Sequence, residues 1–346
     1  MPRKRITMQD IADACGLSRN TVSKVFNGRG AVPQATRELI VRKAEELGYG
    51  LPVGGEVIRN PAAVRTIALL TSNMPVDYHF GTAFITTFTN QICREGYTLK
   101  IFEISPEELQ ARRLPPHFVP DQTAGIIGIE LFDADYLAMV CGLWIPTVVI
   151  DSPPHAVTEQ MLCDFVSVDN ISGIISLVRR LAGLGAARIG FVGDRERCGN
   201  FNERWLGFHA GLSYAKIELD MNICIMAPDS SPYADPEWLA GQLDRMPYLP
   251  DAFVCANDFL AIHLMNALKK KGLRIPEDIM VTGFDGSPQS GMSDPPLTTV
   301  QIPSNDIGCL SADILLNRIR TPAMPCRWTR FKTFPVWRES TRNPAV

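Results

Sequence analysis

Within the first fifty residues, apolar side chains recur at intervals of three and four, the spacing that lines one face of a helix. Met8, Ile11, Ala12 and Cys15 mark a first helix in MQDIADAC, with Thr7 as its N-cap and Gly16 breaking the chain behind it. Val22, Val25 and Phe26 mark a second in SRNTVSKVFNGRG, capped by Ser18, and its other side carries Arg19, Asn20, Ser23, Lys24 and Asn27. After the loop NGRGAVP, Pro33 precedes a third helix, QATRELIVRKAEEL, with Ile40, Ala44 and Leu47 inward and Gly48 placed to end it.

The helical period stops at GLPVGGEVIRNPA (50–62), whose three glycines and two prolines indicate a linker or hinge. From Arg65 the chain alternates apolar runs (RTIALL, YTLKIF, AGIIGI, PTVVI, RIGFVG, DAFVCA, DIMVTGF) with amphipathic stretches at 84–95, 170–182, 204–214 and 259–271. That alternation predicts a parallel sheet covered on both faces. The stretch is too long for one such sheet, so two side-by-side α/β subdomains are expected.

Composition changes this picture little, but charge distribution does. Residues 1 to 50 hold nine Lys/Arg against five Asp/Glu, in a chain of 346 residues whose formal net charge is -3. A basic head on an acidic body suits contact with a polyanion, although a solvated N-terminal face would look the same. The nine cysteines show no CxxC and no metal-ligand spacing, which fits reduced thiols in the cytosol. No apolar run follows the basic N-terminus and none downstream has membrane-spanning length, so a cytoplasmic protein with no membrane partner is expected.

Two helices joined by a turn at Gly16 and braced by a third form a helix-turn-helix, in which the second helix enters the DNA major groove. Arg19, Asn20 and Lys24 are the residue types that donate to guanine or pair with adenine, whereas Thr21, Ser23 and Asn27 suit phosphate. Thr7 and Ser18, at the helix starts, complete the candidate DNA-facing set. A helical packing module with a wet polar face is the alternative for any single pattern of this kind.

Ligands of parallel α/β sheets bind beyond the carboxyl ends of the strands. Ser72, Asn73, Asp151, Asn257, Asp258 and Asp285 stand at such ends, and Arg204 opens the ERWLGF helix. Carboxylates and an amide facing an Arg can bracket a polyhydroxyl ligand, with Phe80 and Phe284 stacking on its apolar face. Taken singly, Asn257, Asp258 and Asp169 are also helix caps, and Asp285 also suits an Asx-turn. No Lys/Arg cluster is evident among these positions, which disfavours a phosphorylated ligand. The histidines lack HExxH spacing, and neither GxSxG nor GxxxxGK[ST] occurs, so no enzyme activity, metal or cofactor is expected.

ITMQDIADACGLSRNTVSKVFNGRGAVPQATRELIVRKAEELGY closely resembles the headpiece of the LacI/GalR family of bacterial transcriptional regulators. The resemblance continues through RTIALLTSN, VIDSPP, VSVDNISG, ARIGFVGD, ERWLGF, VCANDFLAIHLMNALKKKGLRIPEDIMVTGFDGSP, DPPLTTVQIP and FPVWREST. It implies an all-α helix-turn-helix headpiece (1–49), a hinge (50–63) and a periplasmic-binding-protein-like body of two parallel-sheet subdomains (64–346). The N-subdomain would span about 64–166 and 297–325, and the C-subdomain about 167–296 and 326–346. The implied protein is a homodimeric regulator, a repressor by expectation, that binds operator DNA and a small-molecule effector, a carbohydrate by preference, between its subdomains.

Carried over by position, base reading falls on Arg19, Asn20 and Lys24, and effector binding on Asp151, Arg204, Asn257 and Asp285. Lys24 departs from the Arg most common in the family and lacks its planar fork. The hinge departs further: Gly54 and Gly55 each cost a helix roughly 1 kcal/mol relative to Ala, leaving either an apolar wedge at Val57 or Ile58 or a flexible tether. A solute-binding receptor or a sugar-acting α/β enzyme are the rival readings of the body. The first would need a signal peptide and no basic headpiece, the second a nucleophile, metal site or phosphate loop.

Overall fold

The computed structural model describes residues 7–26, 65–74, 81–155 and 161–342, with parts of 33–44 and the backbone at 52–53 and 56–57. The first helix, Met8–Cys15, starts in a capping box: Thr7 Oγ1 accepts from the Asp10 N–H at 3.3 Å while the Asp10 carboxylate accepts from the Thr7 N–H at 2.7 Å. Gly16 ends it in the left-handed conformation (φ 66°), where a side chain would crowd its own backbone. The second helix, Arg19–Phe26, begins with Ser18 Oγ accepting from the Thr21 N–H at 3.1 Å. Helical backbone recurs at 36, 39–40 and 42–44, and Ile40 and Ala44 join Ile11, Ala12, Val22 and Val25 in one small core. The expected inward positions Phe26 and Leu47 lie outside what the structure describes of side chains.

In the hinge, Pro52–Val53 pairs antiparallel with Glu56–Val57, so the backbone at Val57 is extended rather than helical. Ile58 lies outside the described residues.

The body contains the expected parallel sheets. Six strands lie side by side in the order Trp328–Phe331, Asp164–Val168, Thr147–Ile150, Gly125–Ile129, Thr66–Thr71, Thr98–Glu103, all parallel. Ile67 and Leu69 enter one apolar core and Ala68 and Leu70 another, so both faces are buried and the strand reads as an unbroken apolar run. Helices Gly81–Arg94 and Ser304–Arg320 pack together beside this sheet. Their approach needs Gly308: a Cβ there would stand 2.6 Å from the Phe84 carbonyl oxygen. A second parallel sheet is formed by Ile189–Val192, Ala252–Cys255 and Met280–Thr282, and Thr299–Gln301, paired antiparallel with Phe334–Val336, lies beside it. Asn170–Gly183 and Gly199–Ala215 pack on one another next to it.

The subdomain limits expected from the sequence need correction. Val166 and Ser167 are consecutive residues of one strand, and 328–331 is the edge strand of the first sheet, not part of the second. The chain therefore passes between the two sheets near 169, 302–303 and 332–333. The cause is non-local: register between Trp328 and Phe165 is decided by pairing across more than 160 residues, which no local pattern encodes.

Candidate functional site

In the headpiece, Arg19 and Asn20 stand exposed on the first turn of the second helix, while Val22 and Val25 are buried on its other side. The polar and apolar sides of this helix are thus those expected from the sequence. Thr21 is half-buried, and its hydroxyl lies 2.9 Å from Ser18 Oγ, so both hydroxyls help to start the helix. Ser23 is half-buried. Asn27 and the Lys24 side chain fall outside the described residues.

In the body, a cleft opens between the carboxyl ends of the two sheets, enclosing about 650 Å³ with the open solvent at its mouth included. From the first sheet it is lined by Glu130, Phe132, Asp151 and Ser167, and from the second by Arg197, Asn200, Phe201, Arg204, Asn257 and Asp285. Three acids reach it from strained backbone: Glu130 (φ 53°), Asp151 (φ 66°) and Asp285 (φ 115°) each follow a strand in the positive-φ region. Non-glycine residues held there cluster at functional sites, because the surrounding structure must hold the strained conformation in place.

Arg204 is the centre of the floor. It is almost fully buried; Nη1 lies 3.1 Å from Asp285 Oδ1 and donates to the Ala256 carbonyl at 2.7 Å, and Nε donates to Asn170 Oδ1 at 2.9 Å. Its guanidinium stacks over Phe284, 3.8 Å from the ring centroid. A second arginine, Arg197, crosses the cleft: it pairs with Glu130 of the opposite wall at 3.0 Å and with Asp229 at 3.2 Å. Burial works against its charge, but Glu130 and Asp229 outweigh that and raise its pKa. Phe201 lies between the two guanidiniums, at 5.1 Å from Arg197 and 5.5 Å from Arg204.

Asp151 joins the walls differently. Its Oδ1 accepts from the Ser152 N–H at 2.6 Å and from the Asn200 N–H at 2.9 Å, in the first turn of helix Gly199–Ala215, whose own N-cap Cys198 makes no side-chain cap bond. A carboxylate from one subdomain thus caps a helix of the other. Gly199 is required here, since its Cβ would come within 2.2 Å of Ser152 Oγ. Burial pushes the Asp151 carboxyl up to about 6, against the Cys198 thiol, the two N–H groups and the Arg204 charge, which hold it down.

Of the expected effector residues, Asp151, Arg204, Asn257 and Asp285 line one cleft. Asn257 also caps Asp258–Lys270, accepting from the Leu260 N–H at 3.0 Å. Asp258 and Asp169 have structural roles: Asp258 accepts from the Ser287 N–H at 2.7 Å, and Asp169 caps Asn170–Gly183. Burial, with the Asp285 charge, pushes Asp258 up to about 7. Phe284 needs correction: it is fully buried beneath Arg204 and does not line the cleft, so it stacks on the arginine rather than on a ligand. Ser72 and Asn73 do not line it either; the Ser72 hydroxyl donates to the Glu130 carbonyl. Phe80 lies outside the described residues. The expectation of no arginine cluster also fails, because Arg197 stands beside Arg204. Sequence reasoning missed Arg197, Glu130 and Phe201, although Arg197 follows the RIGFVG strand in the kind of strand-end loop where ligand residues were sought.

Comparison with known proteins accounts for both regions. Residues 7–50 match the family of bacterial regulatory proteins, lacI family, and residues 178–341 match a periplasmic binding protein-like domain. The HTH-type transcriptional regulator CelR of Thermobifida fusca is 27% identical over 322 residues, covering 92% of this chain and 93% of the relative. The headpiece belongs to the LacI family. The protein is a DNA-binding transcriptional regulator whose LacI-family helix-turn-helix headpiece precedes the body described above. The HTH-type transcriptional repressor PurR of Vibrio atlanticus (strain LGP32) is 29% identical over 319 residues, with 91% and 92% coverage. Among solved structures, the complex of CelR with cellobiose aligns at TM-score 0.72 and 26% identity over 97% of this chain and 100% of the other. A lac repressor dimer bound to operator and an anti-inducer shares the fold at TM-score 0.70 and 23% identity, with 98% and 100% coverage.

Proposed function

We propose that this regulator is a cytoplasmic homodimeric repressor whose operator affinity is set by an uncharged carbohydrate in the cleft. One observation carries the choice of ligand: both cleft arginines are already paired, Arg204 with Asp285 and Arg197 with Glu130. Neither of these two guanidiniums is left to balance a phosphate, whereas carboxylates, amide and guanidinium together offer the mixed acceptors and donors that hydroxyls require. Phe132 and Phe201 supply apolar surface for a sugar ring. The relative crystallised with cellobiose supports the same class.

The ligand acts by closing the cleft. It bridges residues of both walls, adding to the Glu130–Arg197 pair and the Asp151 cap, and so favours one arrangement of the subdomains over another. In a dimer on a two-fold-related operator, that choice alters the separation of the paired headpieces. A thermal-shift screen of neutral sugars, phosphosugars and nucleosides tests this, with Arg204→Ala as control. A neutral sugar should stabilise the wild type and not the variant; stabilisation by phosphosugars alone would overturn the ligand class.

A further inference from the structure

We infer that the body carries a DNA-contacting surface of its own, at the amino ends of the strands of its first sheet, which binds the phosphate backbone independently of sequence. Because all six strands are parallel, their amino ends lie along one edge of the subdomain. Helices Gly81–Arg94 and Ser304–Arg320 both finish at that edge: the Thr98 N–H, opening a strand just after the first helix, bonds to the Arg65 carbonyl at 2.7 Å, and Arg320, ending the second, pairs with Glu95.

Exposed arginines gather here. Arg65, Arg94, Arg320 and Arg327 face solvent, against the exposed acids Glu95 and Asp121. Asp164 at the same edge is fully buried and held by Arg318, whose Nη2 and Nε donate to its two oxygens at 2.8 and 3.0 Å. The opposite end of the same sheet is predominantly acidic: Glu103, Glu107, Glu108, Glu130, Asp133, Asp135 and Asp151 end or follow its strands, against Arg112, Arg113 and Lys332, of which Arg112 pairs with Asp135. Cations thus outnumber acids at one end of the subdomain, and acids outnumber cations at the other.

That end is also where the DNA-binding headpiece is attached, since the hinge leads into Arg65 and the strand Thr66–Thr71. Charge complementarity and continuity with the DNA-binding headpiece both select duplex DNA as the occupant. Arg94 and Arg320 also sit in the last turns of their helices, where a cation favours the helix dipole. That role predicts a loss of folding stability, while DNA contact predicts a change in salt dependence.

The experiment compares full-length wild type with Arg94→Gln, Arg327→Gln and the double variant, measuring affinity for operator and for random duplex DNA across a salt series. The wild type's own steep salt dependence on operator reports on the headpiece, so failure there is separate from failure here. The double variant should lower the slope of log affinity against log salt by about 0.9 for each phosphate no longer neutralised, equally on both DNAs, leaving the ratio between them unchanged. Unchanged slopes, or a weakening confined to operator, would overturn the surface, and Arg94→Gln alone serves if the double variant folds poorly.

Discussion

The headpiece and the cleft make opposite uses of an arginine. Arg19 stands exposed on a single helix, placed by contacts within a few residues. Arg204 is buried and held by partners 34, 52 and 81 positions away, so its geometry is fixed before a ligand arrives. On the proposed function, the first arrangement leaves base discrimination to a side chain that the fold itself does not hold in place. The second builds the cleft's arginine into the fold, so that on the proposed function binding and stability share the same bonds.

If that contrast is right, the largest effect belongs to Arg204. Arg204→Ala strands a buried Asp285 without its guanidinium and should cost about 3–5 kcal/mol of unfolding free energy in urea, with stabilisation by ligand abolished. Arg19→Ala should leave unfolding unchanged within about 0.5 kcal/mol and instead cost about 1–3 kcal/mol of operator discrimination, read by competition between operator and mutated sites. Equal stability losses in the two variants would erase the distinction.

Asp151→Asn sharpens it through pH. The folded carboxyl of Asp151 is raised from 3.8 to about 6, so the native state holds its proton longer than the unfolded chain does. Stability from this group is then greatest below about pH 4 and falls as pH climbs to about 6. Asp258, raised to about 7, behaves likewise and remains in both proteins. The difference between wild-type and variant stability should therefore change between pH 4 and 6, by roughly 2–3 kcal/mol, and stay flat above 7. A flat difference throughout would remove Asp151 as a buried, titrating cap.

The smallest effect lies in the headpiece turn. Gly16→Ala places a Cβ at φ 66° and should cost about 1–2 kcal/mol of headpiece stability, seen as faster amide exchange in the helix Met8–Cys15. Exchange elsewhere in the body should not move.

How much was legible follows the same divide. Thr7, Gly16, Ser18 and the Val22 and Val25 face were readable because caps, turns and helical period are local. The strands were readable because burial on both faces leaves unbroken apolar runs. Arg204, Asp151, Asn257 and Asp285 were placed with help from family resemblance, since the local context of Asn257 suits a helix cap and that of Asp285 an Asx-turn equally well; Asn257 does cap its helix, while Asp151 caps one 49 positions away. What stayed hidden depended on approach across the chain: the Glu130–Arg197 pair, the burial of Phe284 under Arg204, and the pairing of 328–331 with 164–168. No signal within a few residues records any of them.

Coupling between cleft and headpiece is best tested by taking the neutral sugar found in the thermal screen and titrating it against the protein with and without operator DNA. Saturating sugar should change operator affinity by about 5- to 150-fold, and bound operator should change sugar affinity by the same factor, because coupling between two sites is reciprocal. A sugar that binds through Arg204 yet leaves operator affinity unchanged would contradict a cleft that governs DNA binding.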